Sequence, residues 1–249
     1  MPSQPKLRIF AGPNGSGKTT LYNSIKSIYF STQLFINADQ LEEYFKKYNF
    51  IDLSSYSIKI SNENFNHFCI SNGLYKKAGF NEESWNLSVK GNIIIATDSS
   101  LLTSFNSYHF AILADLIRYE LISTRKSFSF ETVFSHPSKL DLIAFAKQND
   151  YKVYLYFIGT ETPLMNLERV KDRVRKGGHA VEAEKVEKRY FLTMQLLTDM
   201  IKVVDETYLW DNSGSEHKYL GNIKNGFLEF QQLTIPAWIN TFVLHKFNP

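Results

Sequence analysis

Residues 8 to 21 read RIFAGPNGSGKTTL: an apolar run, three glycines within six positions, then a lysine and two threonines. Gly12-Pro13-Asn14-Gly15-Ser16-Gly17-Lys18-Thr19 satisfies the spacing G-x-x-x-x-G-K-[ST] at every position, with Thr20 directly behind. The apolar run in front and the helical pattern TTLYNSIKSIYF after it supply the strand, loop and helix that this spacing requires. Glycines let consecutive main-chain N–H groups converge at the start of a helix, where the first donors have no partner within the helix itself. Such a cradle binds phosphate oxygens. Lys18 adds a point charge for the β and γ phosphates, and the Thr19 hydroxyl has the size and place of a Mg²⁺ ligand. The expected anion is a nucleoside triphosphate, ATP or GTP, held with Mg²⁺ by residues Gly12 to Thr20.

A loop of this kind belongs to an α/β fold, and the rest of the chain agrees. Strand candidates fall at Leu7 to Ala11, Leu34 to Asn37, Ser127 to Thr132, Lys152 to Ile158 and Thr207 to Trp210. Helical patterns such as NSYHFAILADLIRYELI and PSKLDLIAFAKQND lie between them, the signature of a doubly wound parallel sheet with crossover helices. With 249 residues and 43% hydrophobic content the chain can bury one substantial core, or a core and a smaller cap. Residues 48 to 104, rich in Asn, Ser and aromatics, interrupt the alternation and read as an insertion forming a cap on the substrate side. Near the end, Asn225-Gly226 between alternating apolar segments predicts a C-terminal β-hairpin. The whole reads as one domain with that cap and a lid segment at 168 to 190.

Several partner classes are disfavoured. A net charge of +3, from 28 basic and 25 acidic residues, is only a weak argument for nucleic acid or a membrane surface, and ordinary solubility accounts for it. The single cysteine, Cys69, forms no internal disulfide and fits a reducing compartment. No leader-like or spanning run is present, so a cytoplasmic protein is expected.

Two acids stand where open α/β sheets place their ligands, at the carboxyl edge. Asp39 follows the strand LFIN and can act as a general base; its spacing to Glu42 fits a helix-capping box equally well. Glu131, with Thr132 beside it, ends the alternating strand SFSFE and can hydrogen-bond a substrate hydroxyl, or be a solvated strand end. Asp98 after NIIIAT imitates a Mg²⁺-orienting acid, from within the insertion. The segment ERVKDRVRKGGHAVEAEKVEKRY carries eight basic residues against five acids. Arg169, Arg173 and Lys176 share a helical face that Gly177-Gly178 ends, and a second helix from about Val181 carries Arg189. An exposed charged face has this pattern, and so does a mobile lid whose arginines neutralise a transferring phosphoryl group.

FAGPNGSGKTTL, FINADQL, FSFETVFS, YKVYLYFIGT, the basic segment and YLWDNSG, in that order, resemble the zeta toxin family of P-loop kinases and its relatives labelled as ABC-type-like ATPases. The resemblance covers the core without the insertion. It implies strand order 2-3-1-4-5 and phosphorylation of a hydroxyl on a nucleotide sugar such as UDP-N-acetylglucosamine. It makes Asp39 the general base and Glu131 a substrate contact, and it gives Arg173, Arg175 and Arg189 to the phosphates. Asp211-Asn212-Ser213 falls near the nucleotide base. For a growth-arresting member it further implies a cognate antitoxin protein. Two other readings share the phosphate loop: a regulatory NTP-binding module acting through a protein partner, and a polynucleotide 5′-hydroxyl kinase. The chain lacks the ABC signature LSGGQ, and no basic stripe with stacking aromatics flanks the cleft segments.

Overall fold

The computed structural model describes residues 4–31, 34–178 and 180–245. The elements in chain order are β1 (Lys6–Ala11), α1 (Lys18–Tyr29), β2 (Phe35–Ile36), α2 (Ala38–Tyr48), β3 (Phe50–Asp52), α3 (Asn62–Ser71), α4 (Gly73–Lys77), α5 (Glu82–Trp85), β4 (Leu87–Lys90) and β5 (Ile93–Ala96). There follow α6 (Ser107–Ser123), β6 (Phe128–Thr132), α7 (Ser138–Gln148), β7 (Lys152–Gly159), α8 (Pro163–Arg175), α9 (Ala183–Val203), β8 (Glu206–Asp211), β9 (Lys218–Lys224) and β10 (Phe227–Phe230). The chain divides into two compact units: one runs up to Phe35 and resumes at Ser127, the other is Ile36–Lys126.

The first unit is built on a seven-stranded sheet of order β10-β9-β8-β7-β1-β6-β2. β1 sits in the middle, parallel to β6 with Phe10 opposite Glu131, and parallel to β7 with Lys6 opposite Lys152. β8 continues in parallel, while β9 and β10 add antiparallel strands at the edge. Counting only the crossover-connected strands, β2-β6-β1-β7-β8 is the order 2-3-1-4-5 that the resemblance implies. Leu7, Ile9, Phe10 and Ala11 of β1 are fully buried, as a central parallel strand covered on both faces must be. Asn225 (φ 52°) and Gly226 (φ 80°) form the β9–β10 turn in the left-handed conformation that a two-residue hairpin needs.

An aromatic wedge fixes α1 to this sheet. Phe10 stacks on Tyr156 with centroids 4.7 Å apart, Tyr22 stacks on Phe35 at 3.8 Å, and Phe30 closes the group. Arg8 is buried beneath, its guanidinium 4.4 Å from the Phe30 ring centroid. Burial lowers its pKa, and the planar cation is the basic group that best tolerates such a place.

The second unit contains a three-stranded antiparallel sheet of order β3-β5-β4 and the helix α6, apolar nearly all round. Phe45 of α2 packs edge-on against Phe105 at 5.2 Å and meets Phe110 of α6 at 5.6 Å. The unit thus takes in the helices on both sides of residues 48 to 104. His109 lies in an aromatic box, stacked on Trp85 at 5.2 Å and touching Phe80 at 4.2 Å and Phe105 at 5.0 Å. Its Nδ1 accepts the Asn106 N–H at 3.2 Å, closing a capping box at the start of α6. Among the described residues no helix is long and apolar enough to cross a membrane.

Burial lowers the His109 pKa, so the folded state favours the neutral ring. That contribution is complete above the ordinary imidazole value of about 6.5 and is lost as pH falls toward the depressed one. The unfolding midpoint is therefore expected to drop as pH falls below about 6.5. His109→Asn, which keeps an acceptor near the Nδ1 position, should reduce that slope in a pH series of thermal melts.

Candidate nucleotide-binding site

The loop between β1 and α1 turns on itself through Ser16 N–H donating to the Pro13 carbonyl at 3.2 Å. Gly17 precedes α1 as its N-cap at φ 88°, with no side chain capping the first turn and no acid within it. The helix therefore starts with main-chain donors and the positive end of its dipole directed at the loop. Gly15 (φ 75°) lies so close to α8 that a Cβ would come within 2.7 Å of the Asn166 carbonyl. In the same loop the buried Ser16 hydroxyl and the Asn14 Oδ1 have no hydrogen-bond partner. A glycine-rich cradle with unspent polar atoms suits a bound polyphosphate.

Lys18 is buried; its ammonium donates to the Pro13 carbonyl at 2.9 Å and lies 3.8 Å from Glu131 Oε1. The Thr19 hydroxyl donates to Glu131 Oε2 at 2.5 Å. The register brings this about, because β6 lies beside β1 and Glu131 pairs with Phe10 just before the loop. A hydroxyl and a carboxylate side by side are the hard oxygen ligands Mg²⁺ takes, with its remaining positions left to phosphate and water. Among the described residues no cluster of three or more His, Cys, Asp or Glu could hold a metal by itself. Thr132 is occupied otherwise, its Oγ1 accepting the Phe134 N–H at 3.1 Å as the chain turns away from β6. Thr20 is exposed in the first turn of α1.

Asp39 is exposed at the second position of α2. The capping box that its spacing to Glu42 also allowed is not formed. Asn37 is the cap: extended at φ −135°, it accepts the N–H groups of Asp39 and Gln40, at 2.9 and 3.3 Å. A short amide just outside the helix is better placed to do this than a residue already inside it. Glu42 instead pairs with Lys46 at 2.5 Å. Asp98 also caps, accepting from the Ser100 N–H and hydroxyl; these bonds, at an exposed position, lower its pKa.

The basic segment forms α8 and the start of α9, with Gly177 at φ 84° after the Lys176 cap; His179 lies outside the described residues. Arg169 is a structural tie, its Nη1 donating to the Asn212 carbonyl at 2.6 Å and Nη2 to the Gly214 carbonyl at 3.0 Å. Arg173 is exposed and, with Arg169, Asp172, Lys176 and Gly178, lines a shallow cleft of about 440 Å³. Arg175 pairs with Asp172 at 2.8 Å, both largely exposed. Arg189 is half-buried on α9 next to Tyr190, whose hydroxyl donates to the carbonyls of Thr160 and Glu161. His217 is a neighbour of the loop that no sequence pattern marks: its Nε2 lies 3.0 Å from the Gly17 carbonyl.

No family model matches the chain. An uncharacterized protein of Haemophilus influenzae (strain ATCC 51907 / DSM 11121 / KW20 / Rd) is 32% identical over 83 residues, which span 33% of this chain and 52% of that protein. Among solved structures, the native AvrRxo1-ORF1:-ORF2 complex matches with a TM-score of 0.58 at 14% identity, covering 96% of this chain and 63% of that one. The AvrRxo1-ORF1:-ORF2 structure with ATP matches with a TM-score of 0.56 at 14% identity, over 92% of this chain and 61% of that one. The chain thus spans less than two thirds of the length of these relatives. Together with the strand order and the loop after β1, the likeness defines the fold alone: a mostly parallel α/β sheet with a phosphate-loop motif after its central strand, shared with the AvrRxo1-ORF1:-ORF2 structures.

Gly15→Ala puts a methyl group against the α8 backbone at a φ that alanine resists. The expected outcome is a loss of about 1–3 kcal/mol in urea unfolding. ATP affinity should fall at least about tenfold by calorimetry.

Proposed function

We propose that the chain is a Mg²⁺- and ATP-dependent kinase that phosphorylates a hydroxyl group of a small molecule, with a nucleotide sugar such as UDP-N-acetylglucosamine as the acceptor class. One observation carries the reading: Glu131 meets the Thr19 hydroxyl at 2.5 Å and the Lys18 ammonium at 3.8 Å, at the open end of a glycine cradle. On this contact the reading gives Glu131 to the metal and phosphate side in addition to the acceptor contact that the resemblance implies. Thr19 and Glu131 would hold Mg²⁺, which would supply charge neutralisation at the β and γ phosphates.

The residues divide the work as follows. The amides from Gly15 to Thr19 grip the phosphates and Lys18 holds the γ group in line. Asp39, at the start of α2 behind β2, accepts the proton of the acceptor hydroxyl. Arg173, Arg175 and Arg189 offer guanidinium forks to the phosphoryl oxygens as they gain charge; Arg175 leaves its exposed partner Asp172 at little cost. The AvrRxo1-ORF1:-ORF2 structure with ATP supports a triphosphate ligand, and its second component supports a protein partner, an antitoxin in the family that the sequence resembles.

Incubation with ATP or GTP and a panel of UDP-sugars is expected to give a phosphorylated sugar by mass spectrometry; no product over a broad acceptor panel sinks the proposal. Asp39→Asn should lower kcat by about 10²–10⁴ while leaving ATP affinity within about twofold. Glu131→Gln should shift activity to higher Mg²⁺ concentration, read from a magnesium titration of initial rates.

A further inference from the structure

The turn between β8 and β9, residues 212 to 217, reaches the back of the phosphate loop. Asn212 Nδ2 donates to the Ser16 carbonyl at 2.9 Å, and His217 Nε2 lies 3.0 Å from the Gly17 carbonyl. A carbonyl accepts, so the His217 Nε2 carries the proton in this contact. The approach is close: a Cβ on Gly17 would come within 2.5 Å of Asn212 Nδ2 and 2.6 Å of His217 Nε2. In a trans peptide the C=O and the following N–H point in opposite directions. Holding the carbonyls of Ser16 and Gly17 from behind therefore turns the N–H groups of Gly17 and Lys18 to the other side, where the phosphates bind.

We infer that His217 and Asn212 are positioning residues of the nucleotide site, fixing the planes of two peptides whose amides receive the phosphate oxygens. The inference rests on the nucleotide-binding part of the proposed function and names residues outside the motif. The turn itself is braced. Arg169 holds the carbonyls of Asn212 and Gly214, at 2.6 and 3.0 Å. Asp211 accepts the Ser213 hydroxyl at 2.7 Å and the Trp238 indole N–H at 2.8 Å. The Asn212 N–H donates to the Gly159 carbonyl at the end of β7, at 2.9 Å. His217 immediately precedes β9, whose first residue, Lys218, pairs with Asp211, so strand register sets its reach. Burial and the nearby Arg169 charge lower the His217 pKa, which keeps the ring neutral at physiological pH with the proton on Nε2. Donors preset in this way do not have to be ordered by the ligand, and the gain appears as affinity for the polyphosphate.

The test is calorimetric titration of the full chain with Mg²⁺-ATP and with inorganic tripolyphosphate, a probe carrying no base or sugar. His217→Leu and Asn212→Leu are each expected to weaken both ligands by a similar factor of about five to ten, the worth of one lost hydrogen bond. His217→Gln, whose amide nitrogen occupies the Nε2 position, should stay within about twofold of wild type on the same reasoning. His217→Asn, whose shorter amide falls short of Gly17, should lose as much as His217→Leu and serves if the leucine variant does not fold. Unchanged tripolyphosphate affinity in His217→Leu and His217→Asn overturns the inference, as does an equal loss in His217→Gln. Wild-type protein with no affinity for either ligand overturns instead the function on which it rests.

Discussion

The first turn of α1 leaves main-chain amides without partners inside the helix, and everything around the phosphate loop follows from directing them outward together. No side chain caps that turn, and Gly17 stands at its head in a left-handed conformation. An unsatisfied helix end is tolerated when something else takes its hydrogen bonds. In the function proposed here a polyphosphate is that partner, of matching charge and geometry, with the lysine and threonine that follow at its outer oxygens.

Holding such a cradle still demands support from elements far apart in the chain. The aromatic wedge of Phe10, Tyr22, Phe30, Phe35 and Tyr156 locks α1 to the sheet. β7 and α8 close the loop from the side, and the β8–β9 turn closes it from behind. Even the C-terminal segment contributes, since Trp238 ties down Asp211 from which that turn departs. The loop is only as fixed as these contacts make it.

The arginines of α8 show how one stretch of charge separates into different tasks. Arg169 spends its guanidinium on two main-chain carbonyls and behaves as part of the scaffold. Arg173 and Arg175 remain on the exposed surface, with Arg175 held by a single solvent-exposed partner worth little in free energy. A structural arginine and two exposed ones thus occupy one helix, and Arg169, one turn ahead of Arg173, is the one that reaches the carbonyls of the turn after β8.

The sequence alone carried the phosphate loop, the core strands of a mostly parallel sheet, the N-G hairpin and the breaks around α8, because each depends on local chemistry: glycine where a side chain would clash, alternation where a strand is half covered, a turn pair with positive φ. It also marked Asp39 and Glu131 by their place at strand ends. It could not say that Asn37 rather than Asp39 caps α2, since both are good caps and only the helix start decides. Nor could it bring Glu131 to Thr19 or His217 to Gly17, pairs separated by 112 and 200 residues. Those contacts exist because β6 happens to lie beside β1 and β9 beside β8, and strand order is settled by how crossover helices and aromatic side chains pack, not by the residues that end up touching.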